Sequence, residues 1–315
     1  MNTTETLTLR DSLAGSAMPS TPTNARYAAA SLVMPPFCPR REEAGGSQNL
    51  LSQVTPLTPP APYIGGKRNL AKTIIQRIDA TPHDCYAEVF VGMAGLFLRR
   101  SLAPKGEIIN DYSRDVATFF RVLQRHYVAF IDMMRFQLTT RTEFERLCAT
   151  DPDTLTDLER AARFLYLQNT AFGGKVSGRN FGVSYGRPAR FDVTRLGPML
   201  EEVHARLARV VIERLSYDVF LTRYDRPGTL FYLDPPYWGN ERDYGAGMFA
   251  RSDFLRLVAL LHQLKGRFIL SINDVPEVRE LFATFEIEPV ETTYTLMSKG
   301  AKRAGELIIS GGGVV

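Results

Sequence analysis

The chain of 315 residues has little of several things, and each shortage excludes a class of protein. Three cysteines (Cys38, Cys85 and Cys148) are too few for a disulfide framework and indicate reduced thiols. No apolar run approaches the ~18 residues that a transmembrane helix needs, and the first residues lack a signal-peptide pattern. The 38 basic and 34 acidic residues nearly balance, so overall charge does not demand a nucleic-acid partner. These shortages predict a globular protein of the cytoplasm.

Metal-binding patterns are also missing. The cysteines form no Cys-x-x-Cys pair. The four histidines are too far apart in the sequence to match a metal-ligand motif, and they are His83, His126, His204 and His262. The sequence therefore predicts no metal site.

Residues 1–60 differ in composition from the remainder. They contain eight of the 19 prolines and are rich in Ser and Thr, and they show no sustained period of 2 or 3.6. Burial of side chains could not offset the entropy cost of ordering such a segment. We expect a disordered N-terminal tail.

From Pro62 onward, short apolar strands alternate with helical patterns, which favours an α/β fold with a mainly parallel sheet covered on both faces. A helix is predicted around residues 70–78, another behind the turn at 96–98, and a third around 116–123. Ser252 is the predicted N-cap of a helix that runs through Leu264. Strands are predicted at residues 85–90, 107–110, 230–233, 268–272 and 307–309.

The alternation of strands and helices is interrupted between residues 125 and 215. This stretch has mostly helical patterns around a Gly-rich centre. It is predicted to be an inserted lobe, which leaves residues 61–124 and 216–315 to form the domain that contains the sheet.

A Gly-rich turn follows the first predicted strand, in the sequence Phe90-Val-Gly92-Met-Ala94-Gly95. Glycine there allows the backbone to approach a ligand. Asp111 follows 19 positions after Gly92, where nucleotide-binding sheets place an acid on ribose hydroxyls. A packing turn with an ordinary loop aspartate explains these residues equally well.

The segment Tyr63-Ile-Gly65-Gly66-Lys67 offers two glycines and a lysine at the edge of a helix. It suits a small anionic ligand, but it is not a P-loop, because Arg68 stands where Ser or Thr is needed. A solvated turn is the alternative.

Asp234-Pro235-Pro236-Tyr237 follows an apolar strand directly. The two prolines restrict the backbone, so the loop holds its carbonyls in fixed directions. An acid, fixed carbonyls and an aromatic ring at the carboxyl end of a strand are typical of a pocket for a planar group that bears an amine. A rigid structural turn explains this motif less well.

Residues 161–190 contain five basic residues and no acid, interleaved with aromatic residues and glycines. Such a mobile loop suits phosphate contact and base stacking, although a solvated charged face is the usual alternative. The basic residues predicted to contact DNA are Lys175, Arg179, Arg187 and Arg190.

In their order along the chain, these motifs resemble the DNA adenine methyltransferase (Dam-like) family of bacteria and phages. The resemblance runs from about Pro62 to Ser310 and includes later segments, Ser271–Asp274 and Gly305–Leu307. It implies a Rossmann-like mainly parallel sheet of methyltransferase type with an inserted, mostly helical recognition lobe.

The resemblance also implies a site and a reaction. S-adenosylmethionine is the implied cofactor, and the methyl group goes to N6 of a flipped adenine in double-stranded DNA at a short specific site. Asp234 and the carbonyl of Pro235 accept the amine hydrogens, Pro236 stiffens the loop, and Tyr237 stacks on the base. The cofactor-binding residues implied are Tyr63, Lys67, Phe90, Gly92, Asp111 and Asp234.

Two positions depart from the family pattern. Ala94 replaces the second glycine of Phe-x-Gly-x-Gly, which predicts a reshaped turn. Tyr63 stands at the position that is usually tryptophan.

Three other functions are compatible with the sequence. They are those of a methyltransferase for RNA or a protein amide, a non-catalytic DNA-binding relative, and a dinucleotide-dependent dehydrogenase. We expect a monomer in the cytoplasm, associated with the nucleoid, with a cognate restriction endonuclease as a potential partner.

Overall fold

The structure is a computed structural model, and it describes residues 51–183, 186, 188–189, 191–245, 247–295 and 301–313. Nine strands are present in this part of the chain: β1 (Ser52–Gln53), β2 (Cys85–Glu88), β3 (Leu102–Ala103), β4 (Gly106–Asn110), β5 (Val211–Glu213), β6 (Thr229–Leu233), β7 (Arg267–Asn273), β8 (Glu286–Thr295) and β9 (Ala301–Gly312). The α-helices in the same residues are α1 (Ala71–Ala80), α2 (Arg114–Arg125), α3 (Tyr127–Met134), α4 (Arg141–Ala149), α5 (Asp157–Thr170), α6 (Val193–Leu207), α7 (Tyr217–Tyr224), α8 (Arg251–Leu261) and α9 (Pro276–Leu281).

Seven strands form one sheet in the order β5-β4-β2-β6-β7-β9-β8. The first five strands in this order run parallel to their neighbours, and β9 is antiparallel to both β7 and β8. The α/β class and the mainly parallel sheet are confirmed. The short β1 pairs separately with β3.

Alternating side chains of the central strands build two cores. Tyr86, Leu230 and Ile269 face the core that α1 to α6 cover. Ala87 and Phe231 face the opposite core, which α7, α8 and α9 cover. A sheet buried on both faces explains why its strands read as unbroken apolar runs.

The predicted insertion supplies α3 to α6, and their apolar side chains continue the core that α1 and α2 begin. Its predicted end at 215 is too late. β5 pairs in parallel with β4, with Ile108 opposite Val211, so these residues belong to the main sheet.

The predicted boundary of the N-terminal tail also needs correction. Residues 1–50 lie outside the described part of the chain, but residues 51–60 are folded. Ser52 pairs with Ala103, and the Leu57 N–H donates to the Leu98 carbonyl at 2.6 Å. Asn169 donates to the Pro60 carbonyl at 3.3 Å. These bonds supply order that the Pro-rich sequence alone does not predict.

Three local predictions were wrong. The helix predicted at 96–98 is a single 3-10 turn, Phe97–Arg99. Ser252 lies inside α8, which begins at Arg251 because the Asp253 carboxylate accepts from the Ala250 N–H at 2.8 Å. α8 ends at Leu261, before the predicted stop.

The longest helix in the described residues has 15 residues, and none of these helices is long and apolar enough to cross a membrane.

Candidate active site

A cavity of about 820 Å³ opens at the carboxyl ends of the parallel strands. Three strand ends supply its polar and aromatic groups: β2 leads to Phe90 and Gly92, β4 to Asp111, and β6 to Asp234. The segment before α1 adds further lining residues, and Lys67 is one of them. Parallel strands place their carboxyl ends at one edge, which is where α/β sheets bind ligands.

The Gly-rich turn is tied to the acid of the next strand. The Gly92 N–H donates to Asp111 Oδ2 at 2.9 Å, and the Ser113 N–H donates to Oδ1 at 2.9 Å. Burial raises the pKa of Asp111 to about 6, although both bonds favour its ionised form. The acid predicted from its spacing therefore lies on the same cavity wall as the turn.

Ala94 keeps the conformation that glycine would adopt. Its φ is +56°, and its side chain is fully buried. The surrounding core holds alanine in the left-handed region, at a cost of about 1–2 kcal/mol.

Gly92 has no space for a side chain. Its φ is +51°, and a Cβ atom there would lie 2.9 Å from ring atoms of Tyr63. We expect Gly92→Ala to displace the Tyr63 ring and weaken ligand binding in the cavity by about tenfold, equivalent to about 1.4 kcal/mol. Gly95→Ala is the matched control, because its Cβ would meet only Arg99 at 3.6 Å.

Calorimetric titration of both variants with S-adenosylhomocysteine, the demethylated form of the cofactor that the sequence resemblance implies, provides the measurement. Equal affinities for Gly92→Ala and Gly95→Ala would contradict the close approach of Tyr63 to the turn.

The Tyr63 ring is enclosed by neighbours from two loops. It packs beside Gly92, and its centre lies 6.1 Å from that of Tyr244. The Tyr244 hydroxyl donates to the Ile64 carbonyl at 3.2 Å, so the loop after β6 is anchored to this segment. Burial raises the pKa of Tyr63 well above its usual range. A neutral aromatic face therefore lines the cavity.

Lys67 connects the predicted cofactor segment to the Asp-Pro-Pro-Tyr loop. Its Nζ lies 2.7 Å from Asp234 Oδ1 and 2.6 Å from the Tyr237 hydroxyl. The same ammonium lies 4.3 Å from the centre of the Tyr237 ring. Burial raises the pKa of Asp234 to about 6, while the Lys67 charge acts to lower it.

A polar side chain of the neighbouring strand β7 contacts the Asp234 carboxylate. Ser271 Oγ on β7 lies 3.4 Å from Asp234 Oδ1 and 2.8 Å from the Tyr232 hydroxyl. Pro235 and Pro236 are buried, which fixes the loop between the strand and Tyr237.

Asn273, at the end of β7, clamps the residue after the motif. Its side-chain carbonyl accepts from the Trp238 N–H at 2.8 Å, and its amide donates to the Trp238 carbonyl at 3.1 Å. The sequence flagged residues 271–274 as a later strand but did not predict this contact. The clamp depends on β7 lying next to β6, which local sequence does not encode.

Glu88 is a second lining residue that the sequence missed. It is the last residue of β2, only 2% exposed, and it accepts from the Tyr86 hydroxyl at 2.7 Å. Burial raises its pKa to about 8. An acid that ends an otherwise apolar strand directly before a Gly-rich turn was the available signal.

Two of the four predicted DNA-contact residues, Lys175 and Arg179, belong to the described part of the chain, and neither lines the cavity. Lys175 is exposed, but the Arg179 guanidinium turns inward and donates to Gln168 Oε1 at 3.3 Å. Arg187 and Arg190 lie outside the described residues.

The predicted mobile loop is shorter than expected. Residues 161–170 belong to α5, where Arg163 is buried and donates to the Leu147 carbonyl at 2.7 Å. Phe164 and Tyr166 are core residues.

The sheet and the motifs around one cavity define a methyltransferase of the α/β class. The family model of the D12 class N6 adenine-specific DNA methyltransferases matches residues 63–296. The chain belongs to this family, so its activity is methylation of adenine N6 in DNA.

Individual relatives are similar over most of this chain. Type II methyltransferase M1.LlaDCHI of Lactococcus lactis subsp. cremoris is 28% identical over 265 residues, covering 78% of this chain and 92% of its own. Type II methyltransferase M.CviBI of Paramecium bursaria Chlorella virus NC1A is 24% identical over 232 residues, covering 72% and 86%. The DNA N-6-adenine-methyltransferase of Escherichia phage P1 is 26% identical over 260 residues, covering 76% of this chain and 33% of its own.

Proposed function

We propose that the protein uses S-adenosylmethionine to methylate adenine within a short specific sequence of double-stranded DNA. The observation that carries this proposal is the meeting of Asp234, Lys67 and the Gly92–Asp111 pair on one cavity. The alternative function of a dinucleotide-dependent dehydrogenase leaves the Asp-Pro-Pro-Tyr loop without a role.

The cavity fits the proposed cofactor in size and chemistry. Its volume of about 820 Å³ is at the upper end for ligand pockets, enough for a nucleoside cofactor together with a flipped base. Asp111 presents a half-buried carboxylate suited to ribose hydroxyls, and Tyr63 and Phe90 present aromatic faces to an adenine ring. Lys67 suits the carboxylate end of the cofactor or a structural role at Asp234.

Asp234 and the Pro235 carbonyl would activate the target amine. The lone pair of adenine N6 is delocalised into the ring, which makes the amine a poor nucleophile. Accepting its two hydrogens localises the lone pair on nitrogen, and the rigid loop holds both acceptors without reorganisation. S-adenosylmethionine supplies, when bound, an electrophilic methyl group on a sulfonium. Tyr237 would stack on the base once Lys67 has moved from its ring.

The methylation rate is expected to fall as pH is lowered through about 6. Only the carboxylate form of Asp234 accepts an amine hydrogen, and burial raises the pKa of this group to about 6. Below that value the protonated form dominates, so the rate should fall about tenfold per pH unit. Single-turnover rates at saturating cofactor and DNA, from about pH 5 to about pH 8, provide the measurement.

Asp111 also has a pKa of about 6, so its titration must be distinguished from that of Asp234. Asp111→Asn should retain the acidic limb, because the limb belongs to Asp234. A wild-type rate that stays level down to about pH 5 would contradict the role of Asp234.

DNA would be held by the loop after α5, which we propose as part of the recognition lobe. Lys175 is exposed on this loop and suits a phosphate contact. We expect Lys175→Ala to weaken DNA binding uniformly across sequences and to reduce the salt slope by about 1. Arg179 would need to leave Gln168 to reach a phosphate.

Fluorescence anisotropy with duplex DNA at several salt concentrations measures this effect. Lys105→Ala is the control, since Lys105 is exposed in the β3–β4 turn, outside the lobe. Identical salt slopes for Lys175→Ala and the wild type would remove Lys175 from the interface.

The proposed function is tested most directly in cells that lack adenine methylation. Expression of the chain should give N6-methyladenine at one defined motif in their DNA, read by modified-base sequencing. Clean DNA from a folded protein would contradict the proposal, and methylated RNA in the same cells would redirect it to RNA.

The proposed biological partner is a restriction endonuclease of the same specificity. Plasmid DNA carrying the modification should then resist cleavage by that endonuclease. We propose that the enzyme acts as a monomer on the nucleoid, which light scattering and cell fractionation test.

A further inference from the structure

The loop that joins α3 to α4 (residues 135–140, the α3–α4 loop) exposes large apolar side chains. Phe136 is 83% exposed and Leu138 is 72% exposed. Gln137, between them, donates to Glu143 Oε1 at 3.2 Å on the adjoining helix. Exposed apolar side chains that lie next to one another mark an interaction surface, whereas isolated ones need no explanation.

Hydrogen bonds on both sides hold this loop in place. The Gln137 N–H donates to the Met134 carbonyl at 3.1 Å, and the Thr139 hydroxyl donates to the Phe191 carbonyl at 3.0 Å. The Thr140 N–H donates to the Tyr166 hydroxyl at 3.2 Å. The polar groups of the loop therefore bind the protein, while its two apolar side chains extend into solvent.

The direction of α3 places the loop beside the cavity. At the start of α3 the Tyr127 ring stacks on His204, near the end of α6, with the ring centres 5.0 Å apart. Beyond the end of α3, Thr139 reaches the Phe191 carbonyl, directly before the N-cap of α6 at Asp192. The two helices thus run in opposite directions. Since Asp192 lines the cavity, the α3–α4 loop lies at the cavity end of this helix pair.

The charge around the loop is positive. Residues 133–142 contain two arginines and no acid, and residues 160–191 contain no acid either. The Arg135 side chain is 65% exposed, and its pairing with the equally exposed Asp132 at 4.0 Å is weak. The Arg141 guanidinium lies 5.1 Å from the centre of the Phe181 ring. The α3–α4 loop and the loop after α5 therefore form one basic surface with exposed apolar side chains.

We propose that the α3–α4 loop is a second DNA-contact surface, in which Phe136 and Leu138 contact bases and Arg135 contacts a phosphate. The inference rests on the proposed function and extends the interface beyond Lys175. Arginine is attracted by phosphates, and apolar side chains insert at unstacked base steps of a duplex. Extrusion of the target adenine exposes the faces of neighbouring bases, and the Phe136 ring can cover such a face.

Fluorescence anisotropy with labelled duplex DNA at several salt concentrations tests this surface in the full chain. Phe136→Ala should weaken duplex binding by about tenfold without changing the salt slope, because a base contact is lost and no phosphate contact is. Arg135→Ala should reduce the salt slope by about 1. Thermal unfolding of Phe136→Ala should match the wild type, since this side chain is 83% exposed.

Two matched controls come from the other end of the helix pair. Val128, near the start of α3, is 72% exposed, and Arg125 is exposed at the end of α2. Val128→Ala and Arg125→Ala should bind duplex DNA with the affinity and the salt slope of the wild type.

Equal affinities of Phe136→Ala and Val128→Ala for duplex DNA would overturn the inference. A second copy of the chain is the other occupant that an apolar surface could take. A dimer in light scattering that Phe136→Ala converts to a monomer, with unchanged DNA affinity, would also overturn the inference. A wild type that neither binds duplex DNA nor methylates it would instead overturn the proposed function.

Discussion

Asp234→Asn is expected to lower the methylation rate by about 10²–10³-fold while the chain stays folded. The amide is nearly isosteric with the carboxylate, but its NH2 group donates where the adenine amine needs an acceptor. Glu306 remains within 3.7 Å of Lys67, so the buried ammonium keeps a counter-charge and the fold should persist.

Single-turnover rates with saturating S-adenosylmethionine and duplex DNA provide the measurement. Asp274→Asn is the matched control, because Asp274 follows β7 and pairs with Arg279 at 2.6 Å, outside the cavity lining. A rate for Asp234→Asn within about tenfold of the wild type would show that Asp234 does not accept the amine hydrogen.

Gly174→Ala should destabilise the protein by about 3 kcal/mol. Its φ is +66°, and a Cβ atom would lie 2.8 Å from the Pro62 carbonyl carbon and 3.0 Å from the Tyr63 nitrogen. Both neighbours are backbone, so neither can rotate away. The same glycine accepts from the Ile64 N–H at 3.2 Å and from Gln168 Nε2 at 3.1 Å.

Gly178→Ala separates the backbone strain of a positive φ from the steric clash with neighbouring backbone. Gly178 has a similar φ of +58°, but a Cβ there would meet nothing within 4 Å, so only the backbone strain of about 1 kcal/mol remains. Thermal unfolding should therefore place Gly174→Ala about 5 °C below Gly178→Ala. Equal melting temperatures would contradict the close packing of the loop on Pro62.

The parallel part of the sheet was predictable because its strands are buried on both faces. Residues 85–88 and 229–233 lie in the middle of the order and read as short apolar runs before their motifs. β8 was not predicted, because it lies at the edge of the sheet and Pro289 interrupts its run. Ile287, Val290 and the threonines favour a strand there, and pairing with β9 forms it in spite of the proline.

The candidate site was predictable only where its residues belong to a local motif. The acid at 111 and the loop from 234 to 237 stand out by spacing and composition. Glu306 and Asn273 do not, because their roles depend on which strands become neighbours. β9 inserts between β7 and β8, an order that the chain sequence does not reveal. Long-range pairing, rather than residue type, gives these two side chains their contacts.

The Pro-rich segment at the start of the described residues has a consequence for how the cavity forms. Thr58 to Pro62 form part of its wall, and Asn169 and Gln168 hold the Pro60 and Pro62 carbonyls. Proline restricts φ in the unfolded chain as well, so little conformational entropy is lost when this wall forms. The wall is therefore preorganised, and ligand binding energy need not be spent on ordering it.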